Sequence, residues 1–242
     1  MSETYELYYW PGLQGRGEFI RLIFEDAGVP YVDVGRLPED KGGGIPAILG
    51  YYHGEREGHP AFAPPVLKVG ELVLAQMPNI CLFLGRRLGL APEQEAGWLR
   101  ANQLQLTVAD LVAEVHDTHH PLGVSLYYED QKQAARRRSK LFVEQRLPRF
   151  LGYFQRVLEH NGGEVLVGDR VSYVDLALFQ VLAGLEYAFP RAYAREAARV
   201  PGLARLGERV AARERIAAYL ASDRRQPFNE DGIFRRYPEL DG

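Results

Sequence analysis

The chain has 242 residues, enough for one large domain or two small ones and for a real hydrophobic core. Its 46% apolar and 25% charged fractions are ordinary for a globular protein, and a net charge of −3 provides no strong field for nucleic acid or an anionic membrane surface. The start "MSETYELYYW" has no basic stretch leading into an apolar run, and no stretch of about 18 apolar residues follows, so neither a signal peptide nor a membrane helix is expected. The lone cysteine, Cys81, rules out a disulfide within the chain and fits a reducing, cytoplasmic setting.

Residues 5–10 predict a strand ended by Pro11. Residues 16–27 predict a helix, with Phe19, Ile20, Ile23, Phe24 and Ala27 near helical spacing and Gly28 as its stop. Tyr31–Val34 gives a second strand and completes a βαβ unit. Residues 35–63 are rich in Gly and Pro and predict irregular backbone. "PPVLKVGELVLA" predicts two strands turning at Val69-Gly70-Glu71, and a helix follows over 78–88 with Pro78 in its first turn. Within that helix Cys81 reads as a buried inert thiol rather than a nucleophile. From Glu93 onward no strand pattern occurs. Helices are predicted over 98–120, 128–160, 172–187 and 201–221, and the tail "RRQPFNEDGIFRRYPELDG" is polar and expected to lie across the surface. The pattern predicts an α+β domain over 1–90 and an all-α domain over 91–242.

Several motifs invite chemistry. Pro65, preceded by Pro64, is a candidate cis-proline; it would turn neighbouring backbone groups toward an extended peptide. The alternative is a pair of prolines guarding a sheet edge. Ser172 and Asp175 form a capping box, with Val171 and Leu176 placed as a hydrophobic staple, so Ser172 is read as structural. In "EVHDTHHP" (114–121), His116 and His120 are four residues apart and could share a helical face. No third ligand is evident, and no metal is expected. These histidines, His119 included, are expected to line a cleft or lie on the surface. Arg136–Arg138 reads as a solvated helix face.

The order β-α-β, β-β-α with a proline opening the third strand resembles a thioredoxin-like fold. With a helical domain after it, the whole resembles the cytosolic glutathione transferases. "YYWPGLQGRGEFIRL", "APPVLKVGELVLAQMPNICLFLGRRLGL" and "VLVGDRVSYVDLALF" carry the likeness. The tyrosine-type start leans toward the alpha, pi and sigma-like classes.

The resemblance implies a homodimer that binds glutathione as co-substrate and a hydrophobic electrophile in the helical domain. It implies that Tyr9, followed by Trp10-Pro11, donates a hydrogen bond to the glutathione sulfur, with Arg16 at the start of the first helix favouring the anion. Tyr8, next to it, points to the opposite face of the strand. Gln76 matches the residue that holds the γ-glutamyl end. Met77 stands where the family usually has serine, leaving only a backbone amide for the carboxylate. Pro64 stands before the cis-proline position Pro65 and lacks the amide hydrogen that pairs with the cysteinyl part. Lys41 would meet the glycyl carboxylate. Asp110 would reach the γ-glutamyl amine across the dimer, or is a solvated acid. Met77 and Pro64 also suit another reading, a non-catalytic binding or interaction module on the same fold.

Overall fold

The computed structural model describes residues 4–242. β1 (Tyr5–Tyr8) pairs in parallel with β2 (Tyr31–Asp33) and antiparallel with β3 (Val66–Val69), and β3 pairs antiparallel with β4 (Leu72–Ala75). The resulting order is β2-β1-β3-β4. Alternation along β1 divides its neighbours. Tyr5, Leu7 and Tyr9 face α1 (Glu18–Ala27) and α3 (Met77–Arg87), whereas Tyr8 packs with residues of α2 (Gly44–Tyr52). The predicted stops are in place: Gly28 caps α1 in the left-handed region at φ 68°, and Gly70 turns β3 into β4 at φ 58°. The Pro64–Pro65 peptide bond is cis.

The segment 35–63, expected to be irregular, contains α2. Ala47, Ile48 and Tyr51 form its buried face against Tyr8 and Val66. The glycines at 42–44 mark the entry to this helix rather than a structureless loop.

The helical domain opens with α4 (Glu95–Asp117). α5 (Tyr128–Leu141) continues through a π-helical turn at 142–146 into α6 (Leu147–His160), then come α7 (Tyr173–Ala188), α8 (Pro190–Ala197), α9 (Pro201–Ala211) and α10 (Glu214–Leu220). Two differences from expectation are α8, opened by Pro190, and the break of 201–221 at residues 212–213. α7 is the central helix and is buried almost throughout. Its capping box forms as the sequence predicts, with Asp175 accepting from Ser172 N–H (2.8 Å), Ser172 Oγ (2.7 Å) and Leu166 N–H (2.8 Å). Cys81 is fully buried, and burial pushes its thiol up, away from a reactive thiolate.

α1 packs on α3, α7 and α10, so even its charged residues Glu18, Arg21 and Asp26 are buried. The tail also differs from expectation. Ile233, Phe234 and Leu240 are buried, Phe234 lies against Gly184 of α7, and Tyr237 stacks on Tyr128 at 3.8 Å. Asp241 accepts from the N–H groups of Arg191 and Ala192 at 2.9 Å each and so caps α8. Three apolar residues and one cap hold a segment whose composition alone is polar.

Candidate functional site

Tyr9 follows the last residue of β1 and is only 5% exposed. The chain then turns through Pro11–Gln14 into a 3-10 turn at Gly15–Gly17 that leads into α1. Arg16 N–H donates to Tyr9 Oη at 2.8 Å. The phenol's own hydrogen has no acceptor among the described residues, so it remains a donor. Burial raises the phenol's pKa above its ordinary value, with Arg16 and Arg21 pulling partly the other way, so the group is protonated at neutral pH. The glycines of "GRG" serve this packing. A Cβ on Gly15, which sits at φ 44°, would overlap Tyr9 Oη, and one on Gly17 would come within 2.6 Å of the ring. Tyr8 is committed elsewhere: it donates to Glu6 at 2.6 Å, meets Tyr51 edge-on at 4.8 Å and lies under Arg56.

The turn is fixed by residues that the sequence pattern did not flag. Arg21, buried on α1, donates to Asp33 (2.8 Å), to the carbonyls of Leu13 (3.1 Å) and Gln14 (3.3 Å), and to Glu18 (3.3 Å). Its guanidinium also lies 5.8 Å from the Tyr9 ring centroid. Burial alone would weaken its charge, but Asp33 and Glu18 outweigh that and hold it protonated. From the helical domain, Tyr219 (2.8 Å) and Arg225 (2.5 Å) donate to Glu18, and Gln180 donates to Gln14 (2.7 Å). Arg21 Nη2 and Asp33 Oδ1 are buried without a partner among the described residues, so the network has no spare contact to cover the loss of a member.

At the other end, Gln76 stands at the β4–α3 corner with φ 72°, a left-handed backbone uncommon for a residue other than glycine. Its side chain is exposed, and α3 begins at the next residue. Met77, 1% exposed, turns inward, where Gln105 Nε2 approaches its sulfur at 2.9 Å. Gln105 Oε1 is buried without a partner among the described residues. Lys41, in a 3-10 turn, and Asp110, on α4, are both exposed.

A family model described as "Glutathione S-transferase, C-terminal domain" matches residues 116–223. A glutathione S-transferase of Plasmodium yoelii yoelii is 28% identical over 73% of this chain and 76% of its own length. Glutathione S-transferase P 2 of Bufo bufo is 27% identical over 94% of this chain and 98% of its own. A solved glutathione transferase of C. elegans superposes with a TM-score of 0.68 at 25% identity, covering 94% of this chain and all of that one. The family model, the curated relatives and the solved structures all point to the glutathione transferases, which this chain resembles over most of its length. Its four-stranded mixed sheet followed by an all-helical domain is the thioredoxin-like plus α-helical fold of that family.

The histidines of "EVHDTHHP" do not follow simple helical spacing. α4 ends at Asp117, and the turn after it brings His119 back beside His116 and His120. One nitrogen from each ring lies within 4.8 Å of the others, so the third nitrogen that sequence spacing failed to supply comes from His119. Burial pushes His116 down to about 4 and His119 to about 3, with Arg235 adding to both and Arg16 to His116. His120 is also lowered, first by burial and then by Arg235, with Glu129 opposing.

Beside Gly15 the tail closes in. Residues 227–234 leave a cavity of only about 10 Å³ against Gln14 and Gly15. Wider clefts lie elsewhere, one of about 430 Å³ where Pro92 and Gly97 meet Val167 and Arg170.

Proposed function

We propose that this chain is a glutathione transferase that activates glutathione as its thiolate with Tyr9 and passes the sulfur to a hydrophobic electrophile. The observation that carries the reading is the Tyr9 hydroxyl, which accepts the Arg16 N–H at 2.8 Å and keeps its own hydrogen for a ligand. A free thiol titrates near 8.5 and is mostly protonated at neutral pH. A donor aimed at the sulfur favours the thiolate, and each unit of lowered thiol pKa corresponds to about 1.4 kcal/mol. Because burial keeps the phenol protonated, Tyr9 donates rather than competing as a base. The Arg16 guanidinium adds positive potential at the same turn. The thiolate then attacks an electrophilic carbon, forming the S–C bond while the leaving group takes the displaced electron pair.

Glutathione would lie along the sheet edge. The Pro64 carbonyl before cis-Pro65 would accept from its cysteinyl N–H, and Gln76 and the Met77 N–H at the start of α3 would take the γ-glutamyl end. Lys41 would meet the glycyl carboxylate, and Asp110 the γ-glutamyl amine from a second copy in a homodimer. Cytoplasmic detoxification of electrophiles is the role that fits. Among the described residues no helix is long and apolar enough to cross a membrane.

Two features support the rival reading of a non-catalytic binding module. Pro64 has no N–H to offer, and the Met77 side chain points into the core. Glutathione-affinity retention combined with turnover of a chloronitrobenzene-type electrophile separates the two. Retention with turnover supports the transferase; retention without turnover of any of a panel of electrophiles supports the module.

A further inference from the structure

We propose that His116, His119 and His120 form a three-nitrogen binding site for a borderline transition metal, with zinc as its natural occupant. The geometry comes first. The three rings pack on one another at centroid distances of 4.8–5.2 Å where α4 ends. Nδ1 of His119 faces Nδ1 of His120 at 2.5 Å, and a nitrogen of His116 completes a set within 4.8 Å. Nitrogens on one tetrahedral zinc stand about 3.3 Å apart, given Zn–N bonds of about 2.0–2.1 Å. The observed spacings bracket that value, so an ion would part the close pair and draw His116 inward.

The second observation concerns what orients the rings. Nε2 of His119 lies 2.8 Å from the Ile233 carbonyl. A carbonyl only accepts, so Nε2 carries the hydrogen and Nδ1 presents its lone pair to the cluster. This is the outer-shell arrangement that fixes a metal-binding imidazole. The His119 lone pair is met by His120 Nδ1 at 2.5 Å, so an ion would take the place of the hydrogen between them, released to solvent. The His116 ring contacts the other two and makes no side-chain hydrogen bond among the described residues.

The surrounding charges select among metals. Arg16 faces His116, Arg235 faces all three rings, and Glu129 faces His120. Two cations against one carboxylate oppose an ion held by charge alone. Calcium and magnesium, which need oxygen ligands, are therefore excluded, and the site suits an ion held by coordinate bonds to imidazole nitrogen. Three protein ligands leave the fourth position for water or an anion, which the two arginines favour. Because Ile233 belongs to the tail, a bound ion would also tie the tail to the end of α4.

The test uses the full-length, untagged chain and zinc alone, followed by calorimetry, with cobalt(II) as a spectroscopic substitute. We expect one zinc per chain and the visible absorption of four-coordinate cobalt. His116→Asn and His120→Asn should each weaken zinc binding more than about tenfold, the scale on which ligand-shell changes act. His119 is left intact because it also holds Ile233. If one variant fails to fold, the other and the wild-type cobalt spectrum decide. Absence of stoichiometric uptake by wild type overturns the proposal. So does undiminished binding by the folded variants, which would assign the ion to the exposed His53, His59 or His160. Neither result bears on the transferase reading.

Discussion

The turn that holds Tyr9 and the corner that presents Gln76 are built in opposite ways. Tyr9 is buried, and its turn is fixed by Arg21 from α1 and by Gln180, Tyr219 and Arg225 from the helical domain. Gln76 is exposed, its special backbone stands at a two-strand corner, and its neighbour Met77 points away from any ligand. The sulfur end of the proposed site is therefore pre-organised by both domains, whereas the γ-glutamyl end has few groups to offer. Activation of a bound thiol and affinity for the whole tripeptide should then be separable properties of this protein.

The largest effect that would test this comparison is removal of Arg21. Arg21→Leu leaves the partly buried Asp33 without its ion-pair partner and the buried Glu18 with only Tyr219 and Arg225, and such a loss costs about 3–5 kcal/mol. Urea unfolding should show that loss, and the folded fraction should lose thiol activation. A drop below about 1 kcal/mol would mean that the turn does not depend on the network.

Next comes pH. His116 and His119 are pushed below the ordinary histidine value when folded. The unfolded chain thus binds protons first, and stability present above pH 6.5 is lost as pH falls toward about 4 and then 3. With chelator present, the loss over that window should be on the order of 2 kcal/mol and should shrink in His116→Asn. An equal loss in that variant would place the acid sensitivity elsewhere.

Smaller is the effect of Met77→Ser. A serine would occupy the same inward position beside Gln105, so its hydroxyl would meet the core rather than the ligand. Stability should fall by about 2 kcal/mol through the lost volume. The Kd for glutathione should change less than about threefold, under 1 kcal/mol. A tenfold tighter Kd would show that residue 77 does face the γ-glutamyl end. The smallest effect is expected from Tyr8→Phe, which removes one hydrogen bond to Glu6 and costs about 1 kcal/mol while leaving the thiol titration unchanged.

The parts of this molecule that were legible in the sequence are those written locally. The first strand, the Gly28 stop, the β3–β4 hairpin and the Ser172–Asp175 box each depend on neighbours within a few residues. What escaped depends on distant partners. Arg21 carries no local signal of its role, which is set only when α7 and α10 pack against α1. Ile233, Phe234 and Leu240 are isolated among charges and become core only when the tail reaches α5 and α7. α2 was hidden by the glycines that open it. His119 escaped because i, i+4 reasoning assumes a helix that ends at Asp117.

The central claim is that Tyr9 activates the sulfur of bound glutathione, and it is tested most directly by ultraviolet titration of that thiol in wild type and in Tyr9→Phe. The account predicts a thiol pKa well below the free value of about 8.5 in wild type and a rise of at least about one unit in the variant. A lowered pKa that stays unchanged in Tyr9→Phe would contradict it and move the activating role to another group at the turn.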